Sequence, residues 1–442
     1  MIKRLLLILL AGLVIVAGGA YAYATRHTAI EPIDRPDPAS FDPALVERGE
    51  ALAGLGNCGV CHTTQGGGRY AGGLALPTPF GTIYTTNITP DPETGIGAWS
   101  EEAFIRAMHH GIDREGNQLY PAFPYDYFAK VTEDDLRAIY AYLMSQEPVA
   151  AEISENELGF PYNMRLLLEG WNFLFLEDGE FEPDPERDEE WNRGAYIVEG
   201  LGHCGACHSP RNRFGAPARG EPEAYAGARA EGWYVPPLDD TTPAPIPWTQ
   251  IGLVNYLIDG WDSDHGIAAG PMRPVVDDLY QQSEDDVFAI AAYVMSLKGG
   301  ALSNEEQTAV ADEARAVAER LEWGHPENPL LPEDPLLQEG ARVYESQCAD
   351  CHKSGGQSVP LALMTSIHAP DAANLVHVTY KGIQPAPLGS LDRSMPARAI
   401  QISDEEMVAL AMFIRDRFSD EPAWENVEET VREVRAEVEA KH

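Results

Sequence analysis

The six cysteines of the sequence occur as three Cys-x-x-Cys pairs, and a histidine follows each pair directly. The three motifs are Cys58-Gly-Val-Cys61-His62, Cys204-Gly-Ala-Cys207-His208 and Cys348-Ala-Asp-Cys351-His352. Two thiols at this spacing on one helical turn can form thioether bonds to the two vinyl positions of one porphyrin edge, and the histidine after them can then ligate the iron. The pattern therefore predicts three covalently attached haem c groups.

Zinc binding and a redox-active disulfide also use Cys-x-x-Cys pairs. A zinc site would need two such pairs to converge, whereas each pair here lies in its own part of the chain and has its own histidine. Both alternatives are therefore disfavoured.

A histidine-ligated haem in an electron-transfer protein usually takes a sixth ligand, and methionine raises its potential. Met272, in Gly270-Pro-Met272, and Met395, in Ser394-Met-Pro396, each precede a predicted last helix. We expect these two methionines to ligate iron.

The corresponding loop near the first motif reads Tyr120-Pro-Ala-Phe-Pro-Tyr125, with Phe123 in place of a methionine. Met108, His109 and His110 stand nearby. Met108 continues an apolar helix face and is expected to pack in a core, and the two histidines are expected at the surface. The sixth ligand of the first haem therefore stays open between Met108, His109 and none.

The motifs belong to a threefold repeat. Each copy begins with an Arg-Gly or Glu-Gly step into a short amphipathic helix that ends at the cysteines: Arg48-Gly49, Arg193-Gly194 and Glu339-Gly340. A middle helix ends in glycine in each copy: Glu101–Gly111, Trp248–Gly260 and Ala372–Gly382. A last helix begins at a Ser or Thr cap followed by acids: Thr132, Ser283 and Ser403. Each last helix then carries an aromatic residue on a fixed face: Tyr142, Tyr293 and Phe413.

The N-terminus has two basic residues, Lys3 and Arg4, before an apolar run from Leu5 to about Ala24. This arrangement predicts an export signal or a retained membrane anchor over residues 1–26. In either case we expect the rest of the chain on the periplasmic side of a bacterial inner membrane.

The formal net charge is −39, from 70 acidic and 31 basic residues. Such a surface repels polyanions, so nucleic acid and anionic lipid headgroups are disfavoured as partners, whereas a basic protein surface would be attracted. The charge also serves solubility, and charge alone does not separate the two roles.

Two apolar stretches lie outside the repeat. The first runs from Leu166 to Phe175 and is expected to pack between domains, with a partner or the membrane as the alternative. The second is a seam of Trp424 and valines at helical spacing up to Val438, which predicts an amphipathic helix over 421–442 that docks on a partner subunit.

Four longer strings carry a family resemblance: Asn87-Ile-Thr-Pro-Asp-Pro-Glu-Thr-Gly-Ile-Gly97, Leu119-Tyr-Pro-Ala-Phe-Pro-Tyr125, the residues from Arg193 to His208, and Gly270-Pro-Met272. Through them, residues 45–418 resemble the triple-haem cytochrome c subunits of bacterial membrane-associated dehydrogenases. That family accompanies quinoprotein alcohol, flavoprotein gluconate and fructose, and molybdenum-containing aldehyde and nicotinate dehydrogenases. The phenylalanine form of the second string looks more like the cytochromes that accompany molybdenum hydroxylases.

The resemblance implies an all-α protein of three tandem class I cytochrome c domains, at 45–150, 188–300 and 335–420. It implies a chain that accepts electrons from a dehydrogenase catalytic subunit and passes them to ubiquinone or a terminal oxidase, rather than an independent enzyme. Two alternatives are a haem enzyme of peroxidase type that reacts at the first haem, and a free soluble electron shuttle.

Overall fold

The computed structural model describes residues 19, 27–220, 222–299, 303–323, 325, 332–353, 358–384 and 394–439. The predicted signal or anchor over 1–26 therefore lies outside the described residues, apart from position 19. Within the described ranges no helix is both long and apolar enough to span a bilayer. The chain forms two compact units, of which the first is Met1–Asp184, Glu199–His203 and Arg213–Ala216, and the second is Pro185–Val198, Cys204–Asn212 and Pro217–His442.

The first unit contains the first repeat. Its described helices are α1 (Pro43–Leu55), α2 (Cys58–His62), α3 (Glu101–His110), α4 (Tyr125–Phe128), α5 (Glu133–Ser145) and α6 (Leu168–Phe175). A small antiparallel sheet has the order β1 (Ala75–Thr78), β2 (Gly81–Tyr84) and β3 (Glu157–Leu158). The expected all-α class describes the helical majority, but not this sheet, whose strands are too short to show an alternating pattern in the sequence.

The second unit contains the third repeat and most of the second, of which Glu199–His203 and Arg213–Ala216 belong to the first unit. The second repeat comprises α7 (Glu189–Tyr196), a π-helical turn (Ile197–Leu201), α8 (Gly205–His208), α9 (Gln250–Asp259), α10 (Met272–Leu279) and α11 (Glu284–Ser296). Its two hairpins pair β4 (Ala228–Ala230) with β5 (Trp233–Val235) and β6 (Trp261–Asp262) with β7 (Gly266–Ile267). The remaining described helices are α12 (Asn304–Leu321), α13 (Pro335–Gln347), α14 (Thr365–His368), α15 (Ala373–Lys381), α16 (Asp404–Phe418) and α17 (Val427–Glu439).

The glycine of each first helix lies against the backbone of the last helix of the same repeat. A Cβ added to the glycine would approach a carbonyl oxygen to 1.9 Å (Gly49 and Ala138), 1.9 Å (Gly194 and Ala289) or 2.1 Å (Gly340 and Ala409). The Cβ of the predicted aromatic residue, four positions after that alanine, lies beside the same point. The crossings α1–α5, α7–α11 and α13–α16 are therefore close backbone contacts that only glycine permits.

The helix ends follow the sequence prediction. The Thr132, Ser283 and Ser403 side chains each accept a hydrogen bond from the backbone N–H three residues later, which satisfies an otherwise unpaired amide. The middle helices end at glycines in the left-handed region: Gly111 (φ 63°), Gly260 (φ 74°) and Gly382 (φ 71°). The predicted starts of the last helices and the predicted ends of the middle helices are thus confirmed.

The valine seam packs inside the third repeat's own core. Val427, Val431 and Val434 of α17 are buried in the cluster that α15 and α16 also line. Trp424 is buried with them, and its Nε1 donates to the Ala369 carbonyl at 2.8 Å. The expectation that this seam docks on a partner is wrong, because its apolar face is already covered within the second unit.

Candidate haem sites

The cysteines and the histidine of each motif lie on one helical turn. The His208 backbone N–H donates to the Cys204 carbonyl at 3.0 Å, and that of His352 donates to the Cys348 carbonyl at 3.0 Å. The first motif forms the short helix α2. Both thiols and the imidazole therefore project from a single turn, as attachment to one porphyrin edge and ligation from below require.

A left-handed residue comes directly before each of the first two motifs. Asn57 has φ 52° before Cys58, and His203 has φ 40° before Cys204. This conformation is uncommon for residues with a side chain, and it changes the direction of the chain at the start of the motif. No pattern in the sequence indicates this turn.

The first two motif histidines are oriented by backbone carbonyls. The Nδ1 of His62 lies 2.6 Å from the Thr86 carbonyl oxygen, and the Nδ1 of His208 lies 2.8 Å from that of Pro236. A carbonyl can only accept, so each Nδ1 must carry the proton, which leaves Nε2 with the lone pair that binds iron. This tautomer is the one a haem-ligating histidine needs.

The third motif differs in this respect. The Nδ1 of His352 is buried and has no hydrogen-bond partner in the part of the chain that the structure describes. The Tyr344 hydroxyl donates instead to the backbone carbonyl of His352, at 2.5 Å. In this repeat the described contacts fix the backbone of the motif, and none of them sets the tautomer of its imidazole.

Burial keeps these groups uncharged. Removal from water lowers the pKa of His62, His208 and His352, with the carbonyl bonds opposing this effect at the first two. Burial also raises the pKa of the Cys204 thiol to about 12 and that of Cys348 to about 11. Neutral imidazoles suit iron ligation, whereas thiols held un-ionised are poorly suited to disulfide exchange.

The loop after the middle helix has the same form in the first two repeats. The backbone N–H of one loop residue donates to the carbonyl of the helix-ending glycine: Leu119 to Gly111 at 2.7 Å, and Ala268 to Gly260 at 2.8 Å. Phe123 and Met272 each lie four residues beyond that donor. The structure therefore confirms that Phe123 occupies the position that Met272 occupies in the second repeat.

Met395 takes a different place in its own loop. Its backbone exchanges two hydrogen bonds with Ile383, at 2.8 and 2.9 Å, so that Met395 itself is the bridging residue of the hairpin. In the second repeat the bridging residue is Ile267, five positions before Met272. The sequence predicts equivalent places for both methionines, but their positions relative to the hairpin differ.

The candidates for the sixth ligand in the first repeat are engaged elsewhere. Met108 is buried in the core face of α3, and the Nε2 of His109 lies 2.7 Å from the Val131 carbonyl oxygen. His110 is partly exposed and lies 3.4 Å from Asp178. The Phe123 ring packs 5.3 Å from that of Phe128. These contacts match the expected core role of Met108 and the expected surface position of His110.

Comparison with known proteins agrees with this geometry. Residues 46–147 match the family model of cytochrome c, and residues 335–414 match that of cytochrome c oxidase, cbb3-type, subunit III. The chain is a c-type cytochrome, a class of protein that binds haem c covalently.

Relatives extend the match over almost the whole chain. A nicotinate dehydrogenase subunit of Pseudomonas putida is 44% identical over 97% of this chain, which spans only 35% of that relative. The gluconate 2-dehydrogenase cytochrome c subunit of Pantoea cypripedii is 37% identical over 84% of this chain and 85% of the relative. The cytochrome c subunit of the quinone alcohol dehydrogenase of Gluconobacter oxydans is 36% identical over 85% and 78%. The chain belongs to the family of dehydrogenase cytochrome c subunits, as the resemblance predicted.

Proposed function

We propose that this chain carries three haem c groups in three cytochrome c domains, at 45–150, 188–300 and 335–420. The observation that carries the proposal is the threefold recurrence of one arrangement, in which a glycine-mediated helix crossing leads to two cysteines and a histidine on a single turn. The family models match the first and third of these regions. The second region has the same glycine-mediated helix crossing and the same single-turn motif as the other two.

The residues of each motif have distinct tasks. The two cysteines would fix the porphyrin through thioether bonds, and His62, His208 and His352 would hold the iron from one side. Met272 and Met395 would hold it from the other side in the second and third domains. The bound haem supplies one-electron chemistry, and the protein sets its potential through ligation and burial.

The chain passes electrons from a dehydrogenase catalytic subunit toward ubiquinone or a terminal oxidase at the periplasmic face of the inner membrane. Support comes from the relatives, which are named as subunits of nicotinate, gluconate, alcohol and fructose dehydrogenases. Among molybdenum, quinoprotein and flavoprotein partners, the phenylalanine loop and the relative named for nicotinate favour a molybdenum hydroxylase. The genes that flank this one would identify the partner directly.

The haem count is the decisive test. Protein produced with a haem-maturation system should carry three haems that remain attached on a denaturing gel. Replacing both cysteines of one motif by serine should remove one haem and leave two, for each motif in turn. A wild type with two haems, or a motif whose loss leaves the count unchanged, would contradict the assignment. The purified protein should also be reduced by the catalytic subunit of its dehydrogenase in the presence of that subunit's substrate.

A further inference from the structure

The segment between the first two repeats carries many exposed apolar side chains. Every residue from 159 to 167 is exposed, and so are Phe173 and Leu174 of α6. The exposed fraction of the residue is 82% for Phe160, 78% for Phe173 and 65% for Leu174. Single exposed apolar residues are common on proteins, whereas a contiguous group marks an interaction site. We call the exposed apolar side chains of 160–174 the linker patch.

The linker patch is held in place from beneath. Arg165 Nη1 donates to the Gln118 carbonyl at 2.5 Å, and its guanidinium lies 4.9 Å from the centre of the Tyr120 ring. Asn172 donates to the Gln118 side chain at 2.9 Å and accepts from the Tyr125 hydroxyl at 2.6 Å.

Trp171 is buried under the segment and donates from Nε1 to the Phe214 carbonyl at 3.1 Å. The polar and buried side chains of the segment thus bind the first unit, while its apolar side chains point outward. Such a surface is ordered before it meets a partner, which lowers the entropic cost of association.

The linker patch is also uncharged in a strongly acidic protein. Residues 159–174 hold only Arg165 and Glu169, and Glu169 is buried against the Gln118 amide at 2.5 Å. The flanking residues 147–157 hold four acids and 177–184 hold five, with no lysine or arginine in either flank. An apolar centre between acidic flanks is complementary to an apolar patch bordered by lysine and arginine.

A lipid surface fits this distribution poorly. Peripheral proteins bind anionic membranes through basic residues around an inserted apolar group, and acidic flanks would be repelled. We propose that the linker patch is the docking surface for the dehydrogenase catalytic subunit, which presents an apolar patch with a basic border. This proposal rests on the electron-transfer function proposed above.

The linker patch is held by residues that lie on either side of Phe123 in the chain. Gln118 and Tyr120, which hold the segment, belong to the same loop as Phe123, the residue in the distal position of the first repeat, and Tyr125 begins helix α4 directly after that loop. A partner on the linker patch would lie beside this loop. Electrons would therefore enter the chain through the first haem.

The test uses the full-length haem-loaded protein with three substitutions, Phe160→Ser, Phe173→Ser and Leu174→Ser. These side chains are largely exposed, so the variant should keep its haem absorption and its melting temperature. A matched control replaces Ile251 and Ile400, exposed apolar residues of the second unit, by serine. Affinity for the catalytic subunit of the dehydrogenase is measured together with the rate at which that subunit reduces the haems.

We expect the triple variant to bind at least about tenfold more weakly, because a few central apolar residues carry most of an interface's affinity. The control should bind as the wild type does. Equal binding by variant and wild type would overturn the docking proposal while leaving the electron-transfer function intact. Failure of the wild-type haems to be reduced would instead reject the proposed function, and the docking proposal with it.

Two further measurements test whether a membrane or a second copy of the chain binds the linker patch. Flotation with vesicles of phosphatidylethanolamine and phosphatidylglycerol tests a membrane, and sedimentation velocity tests a second copy of the chain. The contrary result is that the wild type binds in one of these assays while the triple variant does not, with binding to the catalytic subunit unchanged in both. That result would overturn the proposal in favour of the membrane or of a second copy of the chain.

Discussion

Replacing Gly194 by alanine tests the helix crossing that defines each repeat. The added Cβ would lie 1.9 Å from the Ala289 carbonyl oxygen and 2.8 Å from the Tyr293 Cβ. The first distance is about 1.5 Å short of an ordinary contact, and the obstacle is backbone, which cannot rotate aside. The helices α7 and α11 would have to separate at a buried crossing.

The expected loss in free energy of unfolding for Gly194→Ala follows from two opposing contributions. Overpacking of this kind costs about 3 kcal/mol, and alanine returns about 1 kcal/mol through its better helix propensity. The net loss of about 2 kcal/mol should lower the melting temperature of the affected domain by about 10 °C. Calorimetry of the full-length haem-loaded protein measures it as a shift of one transition among several, because a multidomain chain need not melt in one step.

Gly170 provides the matched control. It lies in helix α6, and an added Cβ would meet nothing within 4 Å. Gly170→Ala should therefore leave the melting temperature unchanged or raise it slightly. If Gly194→Ala melts with the wild type, the close crossing is not a constraint on the fold, and our explanation of the repeated glycine is wrong.

Two other outcomes are expected. His377 is fully buried, and its ring stacks on that of Trp233 with 4.5 Å between the ring centres. Desolvation lowers the pKa of His377 to about 4; the positive charge of Lys381 adds to this effect, and the negative charge of Glu437 opposes it. Between pH 6.5 and 4 the unfolded chain therefore binds more protons than the folded chain, so the second unit should lose stability as the pH falls through this range. His377→Phe should make the melting temperature less dependent on pH over the same range. Met272→Ala should remove about half of the methionine-to-iron charge-transfer absorption of the ferric protein and lower the potential of one haem, within the roughly 0.8 V range that axial ligands command. Phe123→Met should add a further share of this absorption and raise the potential of the first haem. A wild-type protein whose absorption corresponds to three methionine-ligated haems would contradict the ligand assignment.

The sequence predicted those features that depend on local chemistry. The predictions of a helix start at Thr132 and Ser283 and of a helix end at Gly111 were correct. Each of them depends on hydrogen bonds or backbone angles within a few residues. The repeated glycine was noticed as a pattern, but its cause, a carbonyl of a distant helix, is visible only in three dimensions.

The features that the sequence missed depend on what covers an apolar face. Periodicity identified the valine seam and the stretch at 166–175 as apolar, and it could not tell which would be buried. Val431 is inside the third repeat's core, where a partner was expected. The stretch at 166–175 is divided, since Trp171 packs with Tyr125 of the first repeat and Ala216 of the second, as expected, whereas Phe173 is exposed. The different positions of Met272 and Met395 in their hairpins were equally hidden, because loop length alone does not fix hairpin pairing.

The glycine crossing also separates what holds each repeat together from what tunes it. The crossing uses backbone atoms and a missing side chain, so it makes no demand on the loop that carries the distal residue. That loop indeed varies: Phe123, Met272 and Met395 precede their helix caps by nine, eleven and eight residues. A single scaffold can therefore accept loops that differ in length and in the residue at this position, and loops could be exchanged between repeats one at a time without disturbing the helix crossing.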